Sequence, residues 1–300
     1  MILGFDFGNE NIKTSEDFIV KSLFTQTEGL FNYEHELLIN GQKYIIGEGN
    51  YDTELNKALK PNLLPALCVG LANSTNQNNV DLVVGLPIGQ YKAHKDELQK
   101  TILGYKTIEF TYNDKQYKYR INKVLVYPEG LGAFANLKKI DRQKFNNTKM
   151  IILDIGGRTT EIALLSEDKS RKILKHKSLA IGMINIYSDI ITILNEKYTL
   201  NLKIEDAETI IKFGLKIYGK PVETESIVSG VLQNIFNKIT QELNVNFSAD
   251  IYPIFLTGGG GRKFFAPLKK KYNSVVLSEE FLFANAKGFK KYGQKMWREE

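Results

Sequence analysis

Two segments of this 300-residue chain follow the same plan. Residues 2–15 read ILGFDFGNENIKTS, and residues 151–164 read IILDIGGRTTEIAL. In each segment an apolar strand ends at an acid, a glycine follows two places later, and a polar turn leads into a second strand. Placing Asp6 on Asp154 gives an offset of 148 residues, almost half of the chain. A repeat of this length indicates two related halves.

Predicted strands and helices alternate along the chain. Apolar stretches such as 36–46 and 80–86 predict strands, and the helical periodicity at 55–73 and 222–243 predicts helices. This interleaving indicates α/β layers. With 43% hydrophobic residues, a chain of this length can bury one large core or two medium ones, and the repeat favours two domains.

The composition argues against a secreted, membrane or zinc protein. The first residues, MILGFDFG, already contain an acid and do not resemble a signal peptide. No stretch approaches the ~20 apolar residues of a membrane span. We therefore expect a soluble, cytoplasmic protein without a membrane partner. The single cysteine, Cys68, excludes an intramolecular disulfide, and its apolar neighbours predict a core position. No Cys or His pair has the spacing of zinc ligands.

The net charge is +6, and lysines cluster at 267–272 and 288–299. Such runs are typical of solvated helix faces. A basic surface for an acidic or nucleic-acid partner is the alternative. Because the basic residues are not interleaved with aromatics as in a nucleic-acid module, we do not expect direct contact with nucleic acid.

The two repeated turns have the chemistry of an anion site. Glycines between two strands let backbone N–H groups approach a ligand and form a concave anion site. Two such turns that face each other could hold a polyphosphate from both sides. The aspartates at the strand ends, Asp6 and Asp154, could hold hydrated Mg²⁺, which is usually bound by one or two carboxylates plus phosphate. A simple role as strand-end turn residues is the alternative for both.

A third glycine-rich element lies at LTGGGGRKFF, residues 256–265. Four consecutive glycines after an apolar strand and before a helix cost more chain entropy than mere spacing requires. A flat ligand or a phosphate lying against the backbone would explain them. The run is not a Walker A loop, because no Gly-Lys-Ser/Thr follows.

Five motifs in order, DFGNENIK, YPEGLGAFA, LDIGGRTTEIAL, IGM and LTGGGG, resemble the ATPase pattern of the actin, heat-shock chaperone and sugar kinase superfamily. The resemblance covers nearly the whole chain. Within the superfamily, the VVGLPIGQY stretch, the YPEG loop and the DIGG turn are similar to bacterial actin-like plasmid-partitioning proteins of the ParM type. The resemblance implies an α/β, actin-like (ribonuclease H-like) fold, in which two lobes with duplicated mixed five-stranded sheets surround a nucleotide cleft.

This resemblance also implies where the lobes begin and end. Residues 1–147 would form the first lobe, with a small inserted subdomain at about 28–75. Residues 148–300 would form the second lobe, and a last helix at about 279–292 would cross back to the first.

Site residues follow from the same resemblance. Glu129 would orient or activate the attacking water, and Asp154 would lie near the metal, so these two are the expected catalytic residues. Asp6 and Asp154 would hold Mg²⁺ through water. The expected nucleotide-binding residues are Asp6, Gly8, Asn9, Asn11, Lys13, Gly156, Gly157, Arg158, Thr159, Gly182, Gly258, Gly259 and Gly260.

Some of these positions have alternatives. Glu129 could serve only to favour the start of a helix through its charge, and Lys13 could be an exposed strand lysine. Arg158 departs from the Thr or Gly expected inside this turn, so that it either points outward or touches a phosphate.

The implied activity is a Mg-dependent ATPase, with ATP or GTP as substrate, that polymerises head to tail and drives plasmid DNA segregation. Its partners would be further copies of itself and a small DNA-binding adaptor on a centromere-like plasmid site. A non-polymerising ATPase or a small-molecule kinase of the same superfamily is the alternative. A kinase would usually carry a substrate-binding insertion, which the sequence does not contain, and a chaperone would carry a separate peptide-binding domain.

Overall fold

The computed structural model describes residues 1–26, 33–52, 54 and 56–298. Its strands, in chain order, are β1 (Ile2–Phe7), β2 (Asn11–Thr14), β3 (Ile19–Lys21), β4 (Leu23–Gln26), β5 (Glu36–Ile39), β6 (Gln42–Ile46), β7 (Asn50–Tyr51), β8 (Asn79–Leu86), β9 (Thr107–Tyr112), β10 (Lys115–Pro128), β11 (Met150–Ile155), β12 (Thr160–Leu165), β13 (Ile173–Leu179), β14 (Leu215–Ile217), β15 (Lys220–Val222), β16 (Ile254–Thr257) and β17 (Val275–Leu277).

The helices lie between these strands, as α/β layering requires. In chain order they are α1 (Leu63–Ser74), α2 (Ile88–Gly104), α3 (Leu131–Asn136), α4 (Lys139–Arg142), α5 (Met183–Tyr198), α6 (Ala207–Phe213), α7 (Glu225–Phe247), α8 (Gly261–Lys271) and α9 (Ala284–Met296). None of the helices in the described part of the chain is long and apolar enough to cross a membrane.

Two sheets repeat one topology. The order β3-β2-β1-β8-β10 in the first sheet corresponds to β13-β12-β11-β16-β17 in the second. In both, the outer three strands are antiparallel and the strand that carries the repeated aspartate pairs in parallel with the next one. The structure therefore has an α/β fold with duplicated mixed sheets.

The first sheet does not stop at five strands. Beyond β10 it continues through β9-β5-β6-β4-β7 to ten strands. Strands β5 to β7 come from the predicted inserted subdomain at 28–75, of which residues 28–32, 53 and 55 lie outside the described residues, and β4 lies just before it. In the described part, this insertion extends the first sheet instead of forming a separate layer.

Three apolar cores hold the layers together. One surrounds the first sheet and α1, and a second lies between the second sheet and α5, α7 and α8. A third core packs α3 against the opposite face of the second sheet, with Phe134, Phe145 and Phe255 in edge-to-face contact. Cys68 is fully buried in the first core, as expected, and burial raises the pKa of its thiol. The lobe boundary near residue 147 stays a prediction.

Helix α9 follows the second sheet in the chain but packs on β1, β8 and α3. Glycines allow this close approach: a Cβ on Gly4 would lie 1.8 Å from the Ala286 carbonyl oxygen, and a Cβ on Gly288 would lie 1.7 Å from that of Gly132. Two lysines of α9 form ion pairs with the first half of the chain, Lys287 with Asp17 and Lys290 with Glu16, both at 2.7 Å. This part of the lysine-rich segment is therefore an ion-paired helix face.

Two local predictions were wrong, and three short strands were not predicted. The apolar stretch 36–46 is a hairpin, because Asn40 and Gly41 both adopt positive φ and reverse the chain between β5 and β6. The helix predicted at 55–73 begins at Leu63, since Pro61 favours a helix start and not an interior position. The short hairpin β14–β15 and the edge strand β17 are too short to show a strand periodicity in the sequence.

Candidate functional site

Two glycine turns from the two sheets face each other across a cleft. The first glycine turn (residues 8–10) joins β1 to β2, and the second glycine turn (residues 156–159) joins β11 to β12. The cleft cavity is lined by Asp6, Gly8, Asn9, Glu10, Asn11, Lys13, Lys57, Glu129, Asp154, Gly156, Gly157, Thr159, Gly258, Gly259, Phe281, Leu282 and Asn285. The structure thus brings most of the predicted site residues together around one cleft.

Three predicted residues do not line the cavity. Gly182 lies behind the second glycine turn, where a Cβ would come within 2.4 Å of the Gly157 carbonyl. Gly260 packs on the Ile155 side chain and donates its N–H to the Ile155 carbonyl at 2.9 Å. Arg158 belongs to the second turn but is not part of the cavity wall. Gly182 and Gly260 therefore support the second turn from behind.

The start of α5 fixes the backbone of the second glycine turn. Met183 donates its N–H to the Gly156 carbonyl at 3.0 Å, and Ile184 donates to the Gly157 carbonyl at 2.7 Å. These donors are among the N–H groups that a helix start leaves without partners inside the helix. The turn carbonyls are thereby directed towards α5 and away from the cleft.

Asp6 ends β1 and is buried, with 4% of its surface exposed. Its Oδ2 lies 3.3 Å from the Lys13 ammonium, and its Oδ1 lies 3.6 Å from that of Lys57. Burial alone would raise the pKa of Asp6, but the positive charges of Lys13 and Lys57 hold it below its ordinary value. Asp6 is thus an ionised carboxylate, and Lys13 points into the cleft instead of lying exposed on its strand.

Asp154 ends β11 and is equally buried, but an amide contacts it instead of a cation. Asn285 of α9 donates from Nδ2 to Asp154 Oδ2 at 3.2 Å. Burial raises the pKa of Asp154 to about 6, although this hydrogen bond opposes the shift. Gly258 has φ of +84° and its missing Cβ would lie 2.3 Å from Asp154 Oδ1, so only glycine fits beside this carboxylate.

Glu129 lies between β10 and α3, beside both aspartates. Its backbone N–H donates to the Leu86 carbonyl at 2.8 Å, and its carboxylate forms an ion pair with Lys57. Burial raises the pKa of Glu129 to about 7, although the Lys57 ammonium opposes the shift. A carboxyl group with a pKa in this range can take up and release a proton near neutral pH.

The amide of Asn285 ties the Glu129 segment to Asp154. Its Oδ1 accepts hydrogen bonds from the N–H groups of Gly130 at 2.9 Å and Ala133 at 3.0 Å, while its Nδ2 binds Asp154. One buried side chain therefore connects α9, the start of α3 and the end of β11.

Further along the cleft, the two sheets contact each other through polar groups. A Cβ on Gly157 would lie 2.6 Å from Glu10 Cβ, so the two glycine turns touch here. Lys21 of β3 reaches Glu208 of α6 at 3.3 Å, and the Tyr187 hydroxyl donates to the same carboxylate at 2.9 Å. Burial raises the pKa of Glu10. The half-exposed Lys21–Glu208 pair contributes at most about 1 kcal/mol.

The donor set at the cleft matches hydrated Mg²⁺ better than a protein-only metal site. In the parts of the chain that the structure describes, no group of three or more His, Cys, Asp or Glu side chains could hold a metal ion by itself. Mg²⁺ usually takes one or two carboxylates and completes its shell with water and phosphate. Asn9 Oδ1 is buried in the first turn and has no hydrogen-bond partner among the described residues. A ligand in the cleft would satisfy such a group.

Sequence reasoning missed Lys57, Asn285 and Glu10. Asn285 carried a usable signal, because an asparagine inside the apolar and small residues of LFANAKGF faces the core of its helix. Glu10 lies inside the predicted first turn but is not among the predicted site residues. Lys57 carried none: it belongs to no motif and reaches the cleft only through the fold.

Two family models match the chain. Residues 4–132 match the N-terminal domain of actin-like proteins, and residues 152–270 match the C-terminal domain of the archaeal MreB-like actin homologues. No curated protein is similar enough in sequence to count as a match.

Solved structures share the whole fold at low sequence identity. The archaeal actin homolog Ta0583, in complex with ADP, is 18% identical, covers 98% of this chain and 99% of its own, and has a TM-score of 0.84. A 15-stranded ParM filament from Clostridium botulinum is 20% identical over 98% of this chain and 99% of that one, with a TM-score of 0.78. The apo psk41 ParM protein is 17% identical, over 99% and 98%, with a TM-score of 0.70.

Proposed function

Because the chain belongs to the actin-like superfamily, we propose that it is a Mg-dependent ATPase whose nucleotide state controls head-to-tail assembly, and that the resulting filaments segregate plasmid DNA. The observation that carries the proposal is the arrangement of two glycine turns and three acids, Asp6, Glu129 and Asp154, around one cleft.

The two turns would bind the phosphates of the nucleotide from opposite sides. Their glycines leave backbone N–H groups accessible, and Lys13 adds a positive charge at the first turn. Gly258 and Gly259 form a further part of the wall, on which a flat or anionic group can lie close to the backbone. The glycines belong to three separate segments because each segment would contact a different part of the nucleotide.

Asp6 and Asp154 would hold the metal through its water shell. Bound there, Mg²⁺ neutralises charge on the phosphates. Asn285 fixes the orientation of the Asp154 carboxylate, and Lys13 and Lys57 keep Asp6 ionised. Both carboxylates are thereby available as acceptors for metal-bound water near neutral pH.

Glu129 would orient the attacking water and accept its proton. It is buried, so that water reaches it only through the cleft, and its pKa of about 7 suits a general base near neutral pH. The backbone at Glu129 is fixed, since the Glu129 N–H donates to the Leu86 carbonyl and the next N–H, that of Gly130, donates to Asn285 Oδ1. These contacts would hold the carboxylate in place during hydrolysis.

Assembly is supported by the relatives, of which one was solved as a ParM filament. Head-to-tail contacts between identical subunits produce an open filament when the rotation between them does not close a ring. Closure of the lobes about the nucleotide would favour the assembled state, and hydrolysis would weaken it. The link to DNA would be a small adaptor on a centromere-like plasmid site.

The proposal is tested by right-angle light scattering of the purified protein with and without Mg-ATP, with Mg-GTP as a second arm. We expect scattering to rise only with Mg-nucleotide and to fall as phosphate is released. Nucleotide hydrolysis without any rise would favour the non-polymerising ATPase or kinase alternative. Bare plasmid DNA should not cosediment with the polymers, because contact with DNA requires the adaptor; cosedimentation would contradict that part.

Glu129→Ala provides the sharper test. Loss of the base should slow phosphate release by roughly 10²–10⁴-fold while nucleotide binding and assembly continue, so that the polymers persist. Phosphate release and scattering are measured on one sample, with Glu109→Ala at an exposed ion pair of the first sheet as the matched control. Normal hydrolysis in Glu129→Ala would reduce Glu129 to a residue that favours the start of α3.

A further inference from the structure

Lys57 reaches the cleft from outside both glycine turns. It opens a single helical turn, Lys57–Leu59, between β7 and α1, and this turn is capped by the Asn56 side chain, which accepts from the Ala58 N–H. The Lys57 N–H donates to the Gln90 side chain of α2 at 3.1 Å. Although it comes from the inserted region, the Lys57 side chain is only 5% exposed.

The Lys57 ammonium lies between two acids of the proposed site. It forms an ion pair with Glu129 and lies 3.6 Å from Asp6, which also binds Lys13 at 3.3 Å. A buried ammonium needs such partners, because desolvation penalises an unpaired charge. Among the described residues that line the cleft cavity, the ammonium groups of Lys13 and Lys57 are therefore already paired with acids.

The ion pair conflicts with the proposed role of Glu129. A carboxylate bound to an ammonium is a weaker proton acceptor, because the positive charge stabilises its ionised form. The terminal phosphate of a nucleoside triphosphate is a competing partner with more negative charge and more acceptor oxygens than a carboxylate. A diphosphate brings no such group to the same position.

We propose that Lys57 is the residue by which this site distinguishes a nucleoside triphosphate from a diphosphate: its ammonium leaves Glu129 for the terminal phosphate, and Glu129 becomes free to accept the proton of the attacking water. The inference rests on the proposed function and adds a substrate contact to it.

Lys60 gives the matched control. It lies three residues further on and is also buried, but its ammonium contacts the Phe7 carbonyl at 3.5 Å and forms no ion pair within the described residues. It is absent from the wall of the cleft cavity. Lys60→Met therefore removes a buried lysine of the same segment without removing a contact to Glu129 or Asp6.

The test is calorimetric titration of the full chain with Mg²⁺ and either ADP or AMP-PNP, a non-hydrolysable ATP analogue. Lys57→Met should bind AMP-PNP roughly 10- to 100-fold more weakly, as for the loss of a hydrogen bond to a charged group, and should bind ADP as the wild type does. Lys60→Met should keep the wild-type ratio of the two affinities. Equal losses for both nucleotides in Lys57→Met, or no loss, would overturn the inference.

A second variant keeps the test decisive if Lys57→Met does not fold. Lys57→Met with Glu129→Gln removes both members of the buried pair, so that neither charge is left unpaired, and it should also lack the preference for AMP-PNP. A double variant that keeps the wild-type preference would contradict a direct contact between Lys57 and phosphate. Wild-type protein that binds neither nucleotide would overturn the proposed function itself, whereas wild-type binding with an unchanged ratio in the variants would overturn only the role of Lys57.

Discussion

The two glycine turns share a backbone plan but not an electrostatic one. Asp6 at the first turn lies beside two ammonium groups, whereas Asp154 at the second is held by the amide of Asn285 and forms no ion pair with any described residue. Their pKa values shift in opposite directions as a result. The duplication has therefore kept strands and glycines, while Lys13 and residues outside the repeat set the charge around each acid.

The largest expected difference between the two turns is in stability. Asp6→Asn should lower the free energy of unfolding by about 3 kcal/mol or more, because it leaves buried lysines without their counter-charge. Asp154→Asn should raise it at neutral pH, since it removes a buried charge that forms no ion pair with any described residue. Urea unfolding without nucleotide measures both, with the exposed Asp114→Asn as control. Equal destabilisation by the two variants would contradict the comparison.

The pH dependence of stability should follow the same contrast. Between pH 3.8 and about 6 the folded protein keeps the Asp154 proton that the unfolded chain has lost, so the free energy of unfolding falls as pH rises through this window. Over this window the free energy of unfolding should fall by about 3 kcal/mol, because each unit of pKa difference corresponds to about 1.4 kcal/mol. The contribution of Asp6 has the opposite sign and is lost as pH falls.

Subtraction isolates the Asp154 contribution. The unfolding free energy of Asp154→Asn minus that of the wild type should be near zero at the acid end of the window and should grow towards neutral pH. A difference that is constant with pH would show that Asp154 titrates alike in the folded and unfolded states.

Substitutions at Gly157 and Gly8 should distinguish a contact across the cleft from a contact within one half of the molecule. Gly157→Val should weaken Mg-nucleotide binding by roughly 10- to 100-fold, as expected for overpacking against Glu10, and should leave the unfolding free energy nearly unchanged because opening of the cleft relieves the clash. Gly8→Ala would place its Cβ 2.4 Å from the Asn11 carbonyl, just after its own turn. It should therefore lower both the nucleotide affinity and the free energy of unfolding.

The control for these glycines is Gly230→Ala on α7, where a Cβ would meet no atom within 4 Å. Calorimetric titration gives the affinities and urea unfolding gives the stabilities. Loss of stability in Gly157→Val equal to that in Gly8→Ala would place the Gly157 contact within its own half of the molecule.

The smallest effect is expected at the exposed Lys21–Glu208 pair, which connects the two halves beyond the turns. Lys21→Met should change the nucleotide affinity by less than about 5-fold, because such pairs contribute about 1 kcal/mol or less. The difference from the wild type should disappear at high salt, where exposed charges are screened. An effect as large as that of Gly157→Val would mean that this pair governs closure.

The sequence predicted that the repeated acids and turn glycines, together with Glu129, Gly258 and Gly259, lie at one cleft. Asp6, Asp154 and the turn glycines were predictable because a strand, an acid and a glycine recur with one spacing, which local rules recognise. Asn285 carried a signal for a buried helix position but none for its partners. Lys57 was not predictable, because its contacts join segments far apart in the chain. The ten-stranded first sheet was missed for the same reason, since pairing between β5 and β9 leaves no trace in either strand alone.

The packing of α9 on β1 has a consequence for synthesis on the ribosome. Strand β1 is among the first residues made, but the helix that covers it follows the entire second sheet. Domains generally fold as units during synthesis, yet here β1 of the earlier half is covered by α9 only after the later half has been made. A nascent chain that stops before α9 lacks Asn285 as well as the cover of β1. Under the proposed function, growing chains on neighbouring ribosomes would therefore be unable to bind nucleotide or co-assemble before synthesis is complete.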